Sequence, residues 1–203
     1  MPDVFINYRT GDEESAATLI EQNMSARFGK EKIFRASRSI EAGEAFPQRI
    51  LGAVHGSRVL LAVIGSRWAD PRGRNLLADE TDWVRRELLA AREFDVRIIP
   101  VLVGDPGPKL GYVELPTELS WLRHLQYRRL RNRTADADLD RIADDLIAYV
   151  PGLKRQPTDE QSTGTVVHGN VNHVSGNHGP VHTGTGHQFN GATTFIAGRG
   201  DER

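Results

Sequence analysis

The stretch Val59-Leu60-Leu61-Ala62-Val63-Ile64 decides the fold. It is apolar without a break, between Ser57-Arg58 and Gly65-Ser66. A strand with one wet face alternates apolar and polar residues. An unbroken run suits a central parallel strand, which helices cover on both faces. Working outward, Val4-Phe5-Ile6-Asn7 is a similar run, bounded by Asp3 and Tyr8-Arg9-Thr10-Gly11, and Ile98 to Val103 is another, interrupted only by Pro100. Ile33-Phe34 is a short further strand. Between these runs the period becomes helical. Ala17, Leu19, Ile20, Met24 and Phe28 follow the acids Asp12-Glu13-Glu14, which suit the positive end of a helix dipole, and Gly29 is placed to stop the helix. The loop Ile40-Glu41-Ala42-Gly43-Glu44 opens a helix carrying Phe46, Ile50, Leu51 and Val54. Thr81 to Phe94, with Trp83, Val84, Leu88 and Leu89, reads as a helix capped by Thr81 or Asp79. Gly104 to Pro116 reads as loop, and Leu139, Ile142, Leu146, Ile147 and Val150 give a last amphipathic helix ended by Pro151-Gly152. Strands separated by helices imply right-handed crossovers and a doubly wound parallel sheet, an α/β fold. Such sheets place their sites beyond the carboxyl ends of the strands, which puts functional weight on Tyr8 to Asp12, Ser37 to Phe46 and Gly65 to Trp83.

The charge balance divides the chain. Lys and Arg number 26 against 27 Asp and Glu, a formal charge of −1, so there is no basic field to recruit nucleic acid. No apolar run approaches the ~20 residues that span a bilayer. The start, Met-Pro-Asp-Val-Phe, lacks the basic-then-apolar pattern of a secretory signal, so a cytoplasmic location is expected. The absence of Cys removes disulfides, thiol nucleophiles and Cys-ligated metal centres. All but four of the charged residues lie at or before Glu160, and Gln161 to Gly198 contains none. The expected organisation is a domain over 1–150, a linker over 151–161 and a charge-poor tail over 162–203.

Familiar site motifs are missing from the front half. No GxGxxG or Walker loop follows a strand, and no GxSxG elbow is present. His55 and His124 are its only histidines, which argues against a Ser–His–Asp hydrolase. A phosphoacceptor needs an acidic cluster at the carboxyl end of the first strand, and Asp3 lies at the other end.

Several stretches carry a family resemblance. Val4-Phe5-Ile6-Asn7-Tyr8-Arg9 resembles the first-strand box of Toll/interleukin-1 receptor (TIR) domains, especially bacterial ones, and Ser39-Ile40-Glu41-Ala42-Gly43 resembles their second box, the loop after the second strand. Val59 to Ile64, Ile98 to Val103 and Glu114-Leu115-Pro116 fit the third strand, the fourth strand and the Leu-Pro beyond it. Asp82-Trp83-Val84-Arg85-Arg86-Glu87-Leu88 is similar to a stretch of the animal axon-degeneration NAD hydrolase. The resemblance implies a five-stranded parallel sheet of flavodoxin-like order with helices on both faces. It also implies NAD⁺ as substrate rather than cofactor, cleavage at the nicotinamide–ribose bond, and a pocket completed by a neighbouring subunit of a homo-oligomer.

The position matching the family's catalytic glutamate is Glu87. Ordinary glycosidases need a second carboxylic acid to protonate a poor leaving group. Nicotinamide in NAD⁺ is already cationic and departs neutral, so a single fixed carboxylate that stabilises charge growing on the ribose suffices. The plainer reading of Glu87 is a solvated helix acid beside Arg85 and Arg86. Trp83, one turn earlier on the same face, either stacks on a ring of the substrate or anchors the helix in the core. Tyr8 and Arg9 leave the first strand at its carboxyl end. Arg9 suits a phosphate contact, or a surface ion pair with Asp12 or Glu13. Trp68 and Asp70, beyond the third strand, and Ser39 and Gly43, in the second box, complete the expected substrate-binding set, with Trp68 open to a packing role instead. Two departures stand out. Thr10 stands where NAD-cleaving animal relatives often carry a second basic residue. Arg35 and Arg38 make the second-box loop basic where many relatives carry an acid, a lip suited to a pyrophosphate or to an acidic face of a neighbour. TIR domains also include adaptors without catalysis, so the alternative to a clustering-activated effector in bacterial immunity or cell suicide is a non-catalytic signalling and assembly module.

The tail obeys different physics. It is rich in Gly, Asn, His and Thr and poor in large apolar residues, so alone it cannot offset the entropy of ordering and is expected to be disordered. Without charge repulsion, stacked copies satisfy the conditions for cross-β structure. Gly176-Asn177-His178-Gly179-Pro180-Val181-His182-Thr183-Gly184-Thr185-Gly186-His187 loosely resembles amyloid-signalling motifs beside effector domains of actinobacterial immune proteins, which implies a sensor partner with a matching motif. A tail without such a role is the simpler reading. The histidine spacings match no defined ligand pattern, so no metal site is expected.

Overall fold

The computed structural model describes residues 1–35, 46–70 and 75–156, all within one unit, Met1–Ser162. The second-box loop with Ser39 and Gly43, the linker beyond 156 and the tail lie outside the described residues. Five parallel strands, β1 (Val4–Asn7), β2 (Ile33–Arg35), β3 (Val59–Ile64), β4 (Arg97–Val103) and β5 (Arg128–Leu130), form one sheet in the order β2-β1-β3-β4-β5. This is the flavodoxin-like order, with its topological switch between β1 and β3. The register pairs Val4 with Ile33 on one side and with Val59 on the other, so Val4 to Ile6 are flanked on both sides and Asn7 by β3 alone. Every residue of β1 and β3 is buried, as the unbroken apolar runs require.

Alternation along the strands divides the core. Val4, Ile6, Leu61 and Val101 face α1 (Glu14–Phe28) and α4 (Ala135–Tyr149), whereas Phe5, Leu60, Ala62 and Leu102 face α2 (Phe46–Gly56) and α3 (Trp83–Glu93). Removing a Leu such as Leu60 or Leu61 from water contributes about 1.5–3 kcal/mol, and the large apolar content of β3 explains why it forms the middle of the sheet. Pro100 sits opposite Ala62 on β3, while β5 pairs with β4 only from Val101 onward. The strand therefore takes a residue without an N–H where only one neighbour flanks it. The short β5, which begins Arg128-Arg129, carries too little apolar pattern to read as a strand in isolation.

The chain stays against the domain past its last helix. Leu153 is buried in the α1–α4 side of the core, and the Gln156 N–H donates to the Arg27 carbonyl at 2.5 Å. Gly29 ends α1 with φ 101° and ψ 139°, a conformation that a side chain resists, and a Cβ there would lie 2.6 Å from Glu31 Oε1. Gly29→Ala is expected to lose about 1–3 kcal/mol of stability, read as a lower urea midpoint with an unchanged slope.

Candidate functional site

The loops after β1 and β3 meet beyond the switch point. Asp12 was expected to help open α1, but that helix begins at Glu14 and Asp12 turns across instead. Its carboxylate accepts from the Gly65 N–H at 2.8 Å and from the Arg67 N–H at 3.0 Å, tying the two loops together. The approach is so close that a Cβ at Gly65 would fall 2.2 Å from Glu13 Cγ. Burial, and next the neighbouring Asp12 charge, raise the Glu13 carboxyl above the usual carboxylate range.

The amino end of α3 closes the site from the other side. Its cap is Asp82, not Thr81 or Asp79: Asp82 Oδ1 accepts from the Arg85 N–H at 2.9 Å. Asp79 forms a local turn, accepting from the Thr81 N–H at 2.8 Å. The cap also holds Arg9. The Arg9 guanidinium donates to both Asp82 oxygens, at 2.7 and 2.9 Å, and its Nε donates to the Trp68 carbonyl. Arg9 is only 6 % exposed, so its ion pair is a buried fork with Asp82 rather than a surface contact with Asp12 or Glu13. Arg35, expected on the rim, is buried as well: its Nε donates to Glu21 at 2.7 Å and its guanidinium lies 5.3 Å from the Tyr8 ring.

A cleft of about 360 Å³ opens here, lined by Tyr8, Arg9, Thr10, Leu76, Asp79, Thr81, Asp82, Trp83 and Val84. It brings together Tyr8, Arg9 and Trp83 of the expected set. Trp83 is half-buried, with the Arg86 guanidinium 4.2 Å from its ring centre. Trp68 is 1 % exposed and packs in the α2–α3 side of the core, and its carbonyl accepts from Arg9. Asp70 is exposed and outside the cleft lining. A larger cavity of about 500 Å³ lies at the opposite, amino-terminal edge of the sheet, beside Met1, Pro2 and Lys30. Among the described residues it holds no buried carboxyl, and it lies at the end of the sheet that α/β folds do not use for ligands.

Glu87 lies one turn beyond Trp83 on α3, is not itself among the residues lining the cleft, and is only 6 % exposed rather than solvated. Its Oε2 accepts from Asn7 Nδ2 at 2.6 Å. Burial raises its pKa from 4.5 to about 8; the Asn7 hydrogen bond opposes this, the Asp82 charge adds to it and the Arg9 charge opposes it. At neutral pH the resting carboxyl is therefore mostly protonated. The flanking Arg85 and Arg86 do not pair with it: Arg85 donates to the Leu77 and Ala78 carbonyls and lies 3.7 Å from Glu118, and Arg86 lies on Trp83. Sequence reasoning missed two members of this site, Asn7 as the partner of Glu87 and Asp82 as the partner of Arg9. A polar residue ending the apolar run of β1 was the available signal for the first. Among the described residues no cluster of His, Asp and Glu is arranged to hold a metal ion, and no helix is long and apolar enough to cross a membrane.

Similarity to known proteins agrees with this architecture. A family model described as a TIR domain matches residues 4–143. Among solved structures, the TIR domains of the activated Roq1 resistosome, which directly recognizes the pathogen effector XopQ, superpose with a TM-score of 0.51 at 17 % identity, covering 72 % of this chain and 99 % of that one. A metazoan TIR-STING receptor from C. gigas in complex with 2',3'-cGAMP is 23 % identical with a TM-score of 0.49, and the chain, 70 % covered, spans only 39 % of that receptor. The TIR domain of the Toll-related receptor TRR-2 from Hydra magnipapillata is 20 % identical with a TM-score of 0.46, covering 72 % of this chain and 98 % of that one. Among curated proteins, none matches the sequence closely enough to count as a relative. With a family model spanning most of the described domain and a sheet in flavodoxin-like order, the chain belongs to the TIR domain family.

Proposed function

We propose that the protein is an NAD⁺ nucleosidase that breaks the bond between nicotinamide and ribose. The observation that carries the reading is the Glu87 carboxyl, buried one turn beyond the cleft residue Trp83, bonded to Asn7 at the carboxyl end of β1, and with a raised pKa. Displaced carboxyl pKa values at such a position favour a site over a structural role. In the reaction the C–N bond breaks heterolytically and its electron pair goes to the nicotinamide nitrogen, which leaves neutral. The ribosyl cation is captured by water or another nucleophile. Ionised Glu87 stabilises the positive charge growing on the sugar, and the low-dielectric surroundings strengthen that interaction. The cationic nicotinamide ring, once beside Glu87, favours loss of its proton to solvent. Catalysis is therefore expected to rise with pH until the carboxyl of the free enzyme is ionised, near pH 8.

The engaged Arg9 and the nearly covered Glu87 fit an effector that needs assembly. Arg9 is engaged by Asp82 and only 6 % of Glu87 is exposed, so both side chains need rearrangement before they can meet a dinucleotide. Clustering, through TIR–TIR contacts and the charge-poor tail, supplies the activating step in this reading, with immune defence or cell suicide as its outcome. Incubating the purified full chain with NAD⁺, with and without a crowding agent, tests it. Nicotinamide is expected from the clustered protein and not from Glu87→Ala. Clustered wild-type protein that releases none is a non-catalytic assembly module, and the enzyme reading then fails.

A further inference from the structure

Asn7 is fully buried at the end of β1, and both hydrogens of its amide point at α3. One faces the Val84 carbonyl at 3.4 Å, the other Glu87 Oε2 at 2.6 Å, while Asn7 Oδ1 has no partner among the described residues. The Val84 carbonyl, an acceptor whatever the state of Glu87, fixes which way the amide is turned, since the flipped amide would set oxygen against oxygen there. An amide so held can only donate to the carboxyl. It can therefore grip the ionised form and cannot accept a proton from the neutral one. Glu87 Oε1 has no hydrogen bond among the described residues, which leaves it as the oxygen to meet a substrate.

We propose that Asn7 is the positioning residue of this site: its amide, oriented by the Val84 carbonyl, holds Glu87 Oε2 so that Oε1 faces the substrate and the carboxyl can ionise when it is needed. This rests on the proposed nucleosidase reading for its consequence in catalysis, but not for the coupling between the two side chains. The other charged groups that face Glu87 act at longer range: Asp82 opposes ionisation and Arg9 favours it. From the remaining elements packed on α3, Glu118 meets Arg85, Trp121 lies under Arg92 of α3 itself, and His55 of α2 meets Phe94 at the far end of the helix. None of these offers the carboxyl a hydrogen bond, so Asn7 is its single directional support among the described residues.

The test follows the carboxyl itself as well as turnover. In wild-type protein, the Asn7 side-chain NH₂ signals are expected to titrate in NMR with the same midpoint as the Glu87 carboxyl carbon. Amide signals that ignore that midpoint overturn the proposal, and this needs no variant to fold. In Asn7→Leu, similar in volume but without a donor, the Glu87 midpoint is expected to rise by about one pH unit or more. The pH profile of nicotinamide release moves with it, and kcat falls at least tenfold with KM little changed. Asn7→Ser, which keeps a donor, recovers part of both. An unchanged midpoint and pH profile in folded Asn7→Leu sinks the proposal. A moved midpoint in protein that cleaves no NAD⁺ keeps the coupling and rejects the nucleosidase reading instead.

Discussion

Glu87→Gln is expected to abolish NAD⁺ cleavage and, in the same protein, to stabilise the fold. The loss of activity follows from the role assigned to the charge. A neutral amide keeps the shape of the side chain and still accepts from Asn7, but it offers no anion to the ribosyl cation. Removing a preorganised electrostatic partner costs about 10²–10³ in rate, and a full charge is expected to cost at least that. The gain in stability follows from burial. Below pH 4.5 folded and unfolded chains both keep the proton on Glu87, and wild type and variant differ little. Between pH 4.5 and about 8 only the folded state keeps it, so the unfolded state gains relative to the folded one with each pH unit, by about 1.4 kcal/mol. Above pH 8 both states are ionised and the full difference, on the order of 4–5 kcal/mol as an upper figure, stays constant. The variant's advantage should thus be absent at pH 4, partial at pH 6 and greatest at pH 8 and above. Thermal or urea unfolding of the two proteins across that range measures it. Equal stability at pH 8 would show that the carboxyl is not buried as described. Activity lost together with stability gained separates a residue kept for chemistry from one kept for the fold.

Asp82→Ala is expected to be among the most damaging single changes on the surface of the cleft. Asp82 does two jobs with one carboxylate: it caps α3 at Arg85 and it neutralises Arg9. Losing the cap costs ~1 kcal/mol. Leaving Arg9 buried without a counter-ion costs about 3–5 kcal/mol, because the guanidinium cannot shed its charge as a carboxyl can. The two parts share one group and are not strictly additive. The comparison is Asp145→Ala, which removes a pair with Arg128 of similar geometry, 2.6 Å, but with the Arg128 side chain 40 % exposed. That change is expected to cost no more than about 1 kcal/mol. Urea midpoints of the two variants should differ clearly, and near-equal values would mean that water reaches Arg9. Asp82→Asn, which keeps an acceptor for the cap, should fall between them.

The elements of the domain were legible because each carries its own pattern. The apolar runs of β1, β3 and β4, the helical spacing of α1 and α2, and Gly29 at the end of α1 are local signals, and they appear where they were read. The helix α3 starts at Trp83 rather than at Thr81. Thr81, Asp79 and Asp82 all have capping side chains, and only the fold says which carboxylate also meets a buried arginine. The strand β5 was not marked by its residues, since Arg128 and Arg129 reveal strand character only by pairing with β4. In the site, Tyr8, Arg9 and Trp83 were placed in one crevice by the rule for parallel sheets, and they line one cleft. The inward turn of Arg35 was invisible, because a charged residue after a short strand reads as solvent-facing until Glu21 is found beside it.

The sequence by itself determined the class of fold and the residue to watch. Period-2 and period-3.6 patterns depend on neighbours a few positions apart, and so does the resemblance that singles out Glu87. The state of that residue was decided only by tertiary structure. Asn7 and Glu87 stand 80 positions apart in the chain, and so do their chemistries until the β1–α3 contact closes. Burial then turns an ordinary helix acid into one that holds its proton at neutral pH, and a single amide from the neighbouring strand opposes that burial. Desolvation and hydrogen bonding depend on distance in space, which no local pattern records.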